Sequence, residues 1–301
     1  MLGLLALASA LTFTGCGDGR ESGPLATSPA SLGPADTYAD VDRALGSSVH
    51  GAVEGGTISD AALVANAALL DRVVEASKAT TCDFGVDYSA GLTTELPHLA
   101  AQRRLARALQ ADAARLLSAG DKDGAAKRIA AIYRMAGQVG GSGQTAIEFM
   151  AALGMAHLAT EFIQQNRSLA DAAWRTDILQ AMSEFRQRSL ARAPEILEAD
   201  GKLVGSWLRH AQDTSYATVA TQGLKRRTSE QRIAAAAAIE SIAAEAAGAW
   251  PGASPARMRQ LNEKAKSRGV EDLSVNHEAM KHASDQTEAA LRSARTALGG
   301  S

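Results

Sequence analysis

The composition of this chain of 301 residues predicts an all-α protein. Alanine accounts for 64 residues, and it is the residue that most favours a helix. Ile and Val together number 22 and the aromatic residues 12, which is too few for a large sheet. We therefore expect an antiparallel helical bundle or a short array of helical hairpins, with no sizeable sheet.

The charged residues nearly balance, with 31 Lys and Arg against 33 Asp and Glu. Nucleic-acid binders usually carry a strongly basic surface, so we expect no nucleic-acid partner. The chain has two cysteines, Cys16 and Cys82. If Cys16 is modified, as argued next, no intramolecular disulfide is possible.

The N-terminus begins with an uncharged apolar run over residues 1–14, too short to span a bilayer. The run ends in the tetrapeptide Phe13-Thr14-Gly15-Cys16, which resembles the lipobox of bacterial lipoproteins, with Phe13 where Leu is usual. The resemblance implies that residues 1–15 are a signal peptide and that Cys16 carries a diacylglyceryl group.

Two alternatives stay open for this leader. One is an ordinary secretory signal cut after Ala8 or Ala10, and the other is an apolar tail on a soluble protein. No Lys or Arg precedes the apolar run, which a start site farther upstream would explain.

Residues 16–36 predict a flexible tether, because they are rich in Gly, Ser, Pro and Ala and contain little to bury. With a lipid on Cys16, the membrane would be reached through the N-terminus. The expected location is the bacterial cell envelope, on its periplasmic or outer face.

The main helical body is expected over residues 37–212. A helix is predicted from Asp60 to about Lys78, and Pro97 suits the first turn of the next one. Gly120 and Asp121 should end that helix and begin a third. The glycine-rich residues 137–143 should stop the third helix in an interhelical turn.

The segment at residues 144–165 is apolar nearly all round, which predicts a helix at the centre of the bundle. Trp174, Ile178, Met182 and Phe185 then form the apolar stripe of another helix, and Pro194 can open a further one.

An Ala-rich helical extension is predicted over residues 213–250, capped by Thr228 and Gln231. Residues 251–301 begin with a breaker that contains Pro251 and Pro255, and they contain few large apolar side chains. We expect them to form one or two weakly packed helices.

One hairpin resembles a tetratricopeptide repeat. The stretch from Leu116 to Ala125, with Ala130 and Tyr133, places Gly-Asp at the turn and small residues where the paired helices would touch. More loosely, residues 82–165 are similar to uncharacterised exported helical proteins of planctomycete-type bacteria. Both resemblances imply a helical fold and carry no activity with them.

Residues with catalytic or binding chemistry are sparse. His157 and Glu161 lie four residues apart on one helix face and are the one weak candidate polar pair. No third ligand or reactive group is evident beside them, so we expect no metal, cofactor or catalytic residue. The glycine-rich residues 137–145 lack the lysine of a phosphate-binding loop. Cys82 is expected to be a small, partly buried loop residue.

The sequence therefore predicts a membrane-anchored envelope lipoprotein, with the helical body as a non-catalytic scaffold or partner-binding module. Hairpin arrays expose grooves that accept helices or extended peptides, so a protein partner is possible. The alternative is an enzyme or small-molecule binder with a site near His157 and Glu161 in the bundle centre.

Overall fold

The computed structural model describes residues 33–55, 58–166, 172–210, 227–270 and 275–299, and throughout these ranges the regular structure is helical, with no strand. The all-α prediction is confirmed. The α-helices are α1 Pro34–Gly55, α2 Asp60–Ala65, α3 Ala67–Ser77, α4 Pro97–Ser118, α5 Lys122–Ser142, α6 Ala146–Gln165, α7 Ala172–Arg188, α8 Ala193–His210, α9 Ser229–Ala249, α10 Pro255–Ser267 and α11 His277–Ala297.

The sequence pattern predicts no helix before Asp60, but the first described helix, α1, already begins at Pro34. Residues 34–36, assigned to the tether, form the first turn of α1. Burial explains this start, because Tyr38, Val41 and Leu45 are each at most 2% exposed and face the core. Gly46 interrupts α1 with φ +57°, a left-handed conformation that favours glycine.

The predicted hairpin forms between α4 and α5. Pro97 opens α4, and Gly120 reverses the chain with φ +85°. The Asp121 carboxylate then accepts the Gly124 N–H at 2.8 Å and caps α5. The described geometry supports a helical hairpin, while the tetratricopeptide likeness stays a prediction.

The glycine-rich stretch does not form the expected turn. Helix α5 continues to Ser142, and its glycines lie where α7 approaches closely. A Cβ on Gly140 would lie 2.1 Å from the Ser189 Oγ, and one on Gly137 would lie 3.4 Å from the Phe185 Cα. These glycines therefore permit a close helix crossing.

The centre of the bundle is α5, and the prediction that the next helix is central is wrong. Helix α5 packs against α3, α4, α6 and α7, and 14 of its 21 residues are buried. Helix α6 keeps an exposed stripe that consists of Ile147, Gly154, His157, Glu161 and Gln165. Its apolar composition reflects packing against α4, α5, α8 and α11 on the remaining faces.

The later helices of the main body follow the sequence patterns. Ile178, Met182 and Phe185 of α7 are buried, as is Leu197 of α8. In α9, Thr228 and Gln231 form both hydrogen bonds of the predicted capping box.

The last two helices are not weakly packed. Met258 and Leu261 of α10 and Met280 and Leu291 of α11 are each at most 2% exposed. They join the same apolar core as the main body, because α11 packs along α6 and α10 packs against α9 and α11. Almost all of the few large apolar side chains that are described in this region are buried, so their small number does not mean that the helices pack weakly.

Two helical segments, Ala146–Gln165 and Ser229–Gly252, are long and apolar enough to cross a bilayer. About half of each apolar window is buried inside the fold, at 56% and 44%. A core helix of a soluble protein has the same character, so this is weak support for a membrane span. The described ranges do not include the predicted signal peptide, Cys16 or the part of the predicted tether before residue 33. They also leave out residues 211–226.

Candidate functional site

The predicted pair His157 and Glu161 lies on the surface of α6. The two side chains are 54% and 49% exposed, and the His157 Nε2 is 3.6 Å from the Glu161 Oε1. They are neighbours as the helical spacing predicts, but they do not lie in the bundle centre. The alternative function near this pair assumed a central position, and the structure gives it no support.

A second set of polar side chains meets inside the fold, and we call it the polar junction. Four elements contribute to it: the loop before α4, α4 itself, the start of α6, and α8. Its members are Tyr88, His98, Gln102, Thr145, Glu148 and Asp200.

Glu148 is the centre of the polar junction and is 1% exposed. Its Oε1 accepts the Tyr88 hydroxyl at 2.8 Å and lies 3.5 Å from the His98 Nε2. Its Oε2 accepts the backbone N–H groups of Gln144 and Thr145 at 3.0 and 3.1 Å and the Thr145 hydroxyl at 2.9 Å. One carboxylate therefore joins the loop, α4 and the first turn of α6.

The contacts of Glu148 decide its charge state. Burial by itself would raise the pKa of this carboxyl. Contacts from His98, Tyr88, Thr145 and the Gln144 backbone outweigh that effect and hold its pKa below the usual value. Burial and the hydrogen bond to Glu148 raise the pKa of the Tyr88 hydroxyl, so Tyr88 stays a donor at neutral pH.

Asp200 is the second carboxyl of the polar junction. It lies in the middle of α8, and its Oδ1 accepts the Ala146 N–H at 3.0 Å, so it caps α6 and not its own helix. Burial first, and then the negative charge of Glu148, raise the pKa of Asp200 to about 6, although the Ala146 hydrogen bond opposes the shift.

His98 and Gln102 are the incompletely bonded members of the polar junction. They lie one turn apart on one face of α4. The His98 side chain is 9% exposed and Gln102 is 1% exposed. Both ring nitrogens of His98 and both amide atoms of Gln102 lack a hydrogen-bond partner among the described protein atoms. At 3.5 Å, the His98 contact with Glu148 is longer than a normal N–H···O bond.

The loop before α4 covers one side of the polar junction. The Phe84 ring stacks on His98 with centroids 4.4 Å apart and an angle of 16° between the planes. Farther along the loop, Gly91 has φ +60° and lies against Trp207 of α8, where a Cβ would come within 2.3 Å of the Trp207 Cβ. The loop is thus fixed to α8 as well as to α4 and α6.

Three other buried groups, Asp112, Tyr38 and Cys82, have structural roles outside the polar junction. The Asp112 carboxylate, 0% exposed, accepts Arg128 at 2.8 Å across the hairpin of α4 and α5. The Tyr38 hydroxyl donates to the Gln138 Oε1 at 2.6 Å and links α1 to α5. Cys82 is 6% exposed, and burial, followed by the charges of Asp83 and Asp36, raises its pKa to about 12. Cys82 is therefore more deeply buried than the partly buried loop residue that we predicted.

A groove of about 470 Å³ lies at the surface between α1 and α3 and opens to solvent. We call it the α1–α3 groove; its lining residues are Pro34, Thr37, Asp71, Arg72, Glu75, Ala76 and Ala79. Its lining combines apolar residues with the charged Asp71, Arg72 and Glu75, and an open groove of this kind suits an extended peptide better than a small ligand.

Sequence reasoning missed most of the polar junction. Thr145 and Glu148 have the spacing of a capping box ahead of an apolar run, and that signal was available. Asp200 lies in the middle of α8, and no local pattern there indicates that it caps α6. Nothing in the sequence signals that Tyr88 and His98, 60 and 50 residues before Glu148, meet its carboxylate.

Within the described ranges, no group of three or more His, Cys, Asp or Glu side chains is arranged to hold a metal ion. The polar junction therefore consists of hydrogen-bonding and acid–base groups only, at a meeting point of four elements. Comparisons with family models, curated proteins and solved structures found no match to this chain.

Proposed function

We propose that this chain is a bacterial envelope lipoprotein, anchored through a lipid on Cys16, whose helical body is a non-catalytic scaffold that binds a protein partner. The observation that carries the proposal is the order of features along the chain. An apolar run over residues 1–14 is followed by Cys16 and then by a segment rich in Gly, Ser and Pro, and the first helix among the described residues begins at Pro34.

The helical body supports the scaffold part of the proposal through the way its polar groups are used. The buried ion pair of Asp112 and Arg128 and the contacts of Glu148 join separate elements, as expected of groups that hold a fold. The α1–α3 groove, with a volume of about 470 Å³, offers a place for an extended segment of a partner.

Metabolic labelling with an alkyne fatty acid tests the anchor. We expect label on the wild-type chain, none on Cys16→Ser, and full label on the control Cys82→Ser, because Cys82 is buried and outside the leader. An unlabelled wild type, or equal label on Cys16→Ser, would refute the anchor.

Site-specific photocrosslinking in intact cells tests the partner. A crosslinking residue at Glu75, at the edge of the α1–α3 groove, should give one discrete adduct. The control position is Glu195, whose side chain is equally exposed at 68% but lies outside this groove. If both positions give the same adducts or none, the groove is not the partner site.

A further inference from the structure

We propose that His98 and Gln102 form an internal hydration site, in which one buried water molecule bridges the two side chains. The site is independent of membrane anchoring. The proposal rests on where the described residues leave buried polar atoms without a partner.

The unpartnered atoms cluster in one place. Within the described ranges, five buried side-chain nitrogen or oxygen atoms lack a hydrogen-bond partner from the protein. Two belong to His98, two to Gln102 and one to Ser189. Buried polar groups in folded proteins are nearly always hydrogen-bonded to protein or to ordered water. The His98 Nε2 has at least the Glu148 carboxylate at 3.5 Å, whereas the His98 Nδ1 and both amide atoms of Gln102 have no such contact. Three such atoms on adjacent turns of one helix therefore indicate a guest that bonds to both side chains.

The chemistry of the two side chains selects a small guest that both donates and accepts. The Gln102 amide presents one acceptor oxygen and one donor nitrogen, and an imidazole presents at least one donor. The carboxylates of Glu148 and Asp200 lie in the same junction, which disfavours an anion. Water both donates and accepts hydrogen bonds, and it carries no charge.

Helical spacing places the two side chains side by side. Side chains four residues apart on a helix have Cβ atoms about 5–6 Å apart, a separation that a bridging water can span. The site is shielded from bulk solvent, because Phe84 stacks on the His98 ring and Gln102 is 1% exposed. A water held there would stay much longer than a surface water.

Water ¹⁷O magnetic relaxation dispersion on the full chain tests the site, because its amplitude reports long-lived internal waters. Gln102→Met keeps the length of the side chain and removes both amide groups. We expect its dispersion amplitude to fall by the equivalent of one water, out of about ten expected for a protein of this size. The control is Gln110→Met on the same helix, since the Gln110 amide donates to the Leu158 carbonyl at 3.2 Å.

An unchanged amplitude in Gln102→Met, or an equal fall in Gln110→Met, would overturn the proposal. A urea titration gives a second measurement, with the midpoint lower in Gln102→Met because a hydrogen-bonded amide is lost. A higher midpoint would show that the buried amide had no partner in solution and would also overturn it. If Gln102→Met does not fold, His98→Phe keeps the ring stack with Phe84 and should lose the same water.

Discussion

Replacing Asp200 by Asn should stabilise the protein at neutral pH. The Asp200 pKa is about 6 in the folded chain against 3.8 for an unperturbed carboxyl, because of burial and the Glu148 charge. The carboxyl therefore ionises more readily in the unfolded chain, so the free energy of unfolding falls as pH rises from 3.8 to 6. Above pH 6 the loss is complete, and it amounts to about 3 kcal/mol for a shift of about two units.

Asp200→Asn removes this charge and keeps a side-chain oxygen that can accept the Ala146 N–H. In the wild type, the Asp200 Oδ1 accepts this N–H at 3.0 Å. We expect Asp200→Asn to raise the free energy of unfolding by up to about 3 kcal/mol at pH 7.5 and by nearly nothing below pH 4. Urea unfolding monitored by far-ultraviolet circular dichroism from pH 3.5 to 8 measures both values. Glu148 is present in both the wild type and Asp200→Asn, so its own contribution largely cancels when the two free energies of unfolding are subtracted.

Glu195→Gln on the same helix is the matched control, since its carboxylate is 68% exposed and pairs with Arg192 on the surface. We expect a change below about 1 kcal/mol that varies little with pH. The reasoning is refuted if Asp200→Asn is less stable than the wild type at pH 7.5, or if its advantage persists at pH 3.5.

Three further outcomes follow from the packing. Gly140→Ala should lower the thermal midpoint by the equivalent of about 1–3 kcal/mol, because its Cβ would lie 2.1 Å from the Ser189 Oγ, just after α7. Gly154→Ala on the exposed face of α6 has nothing within 4 Å of the added Cβ and should raise the midpoint slightly; equal shifts in the two variants would contradict the close packing at Gly140. Asp112→Ala leaves the Arg128 guanidinium, 6% exposed, with only the surface carboxylate of Asp71 as an ion-pair partner among the described residues. Urea unfolding should show a fall in the free energy of unfolding on the order of 3 kcal/mol, and a fall under about 1 kcal/mol would mean that the buried pair contributes little. In the Cys16→Ser variant, Cys82 should resist a thiol reagent at pH 8, because the thiol is buried and its pKa is about 12. It should react once urea unfolds the protein, and rapid labelling of the folded chain would disprove its burial.

The fold class and most helix boundaries could be predicted because they depend on local chemistry. Pro97 opens α4, Asp121 caps α5, and Thr228 caps α9, each through groups within a few residues. The errors came where a neighbour in space decides the outcome. Gly137 and Gly140 stay helical because α7 packs on them, and α1 begins at Pro34 because its apolar face meets the core.

The candidate site was the least predictable part. His157 and Glu161 were paired correctly from helical spacing, but spacing does not say which side of a helix faces solvent when nearly all of its residues are apolar. The polar junction brings together Tyr88, His98, Glu148 and Asp200 from four elements. No periodic pattern connects residues so far apart in the chain.

By itself, then, the sequence determined that the body is helical and where its main caps lie. It also predicts a leader and a lipid anchor on Cys16, which lie outside the described residues. The helices and their caps follow from backbone propensity and from hydrogen bonds that reach only a few residues. Only the tertiary structure decided that α5 is the central helix, that the last two helices belong to the core, and that Glu148 and Asp200 meet at the start of α6. The reason is that burial and the pairing of polar groups depend on distances between elements, which local propensity does not specify.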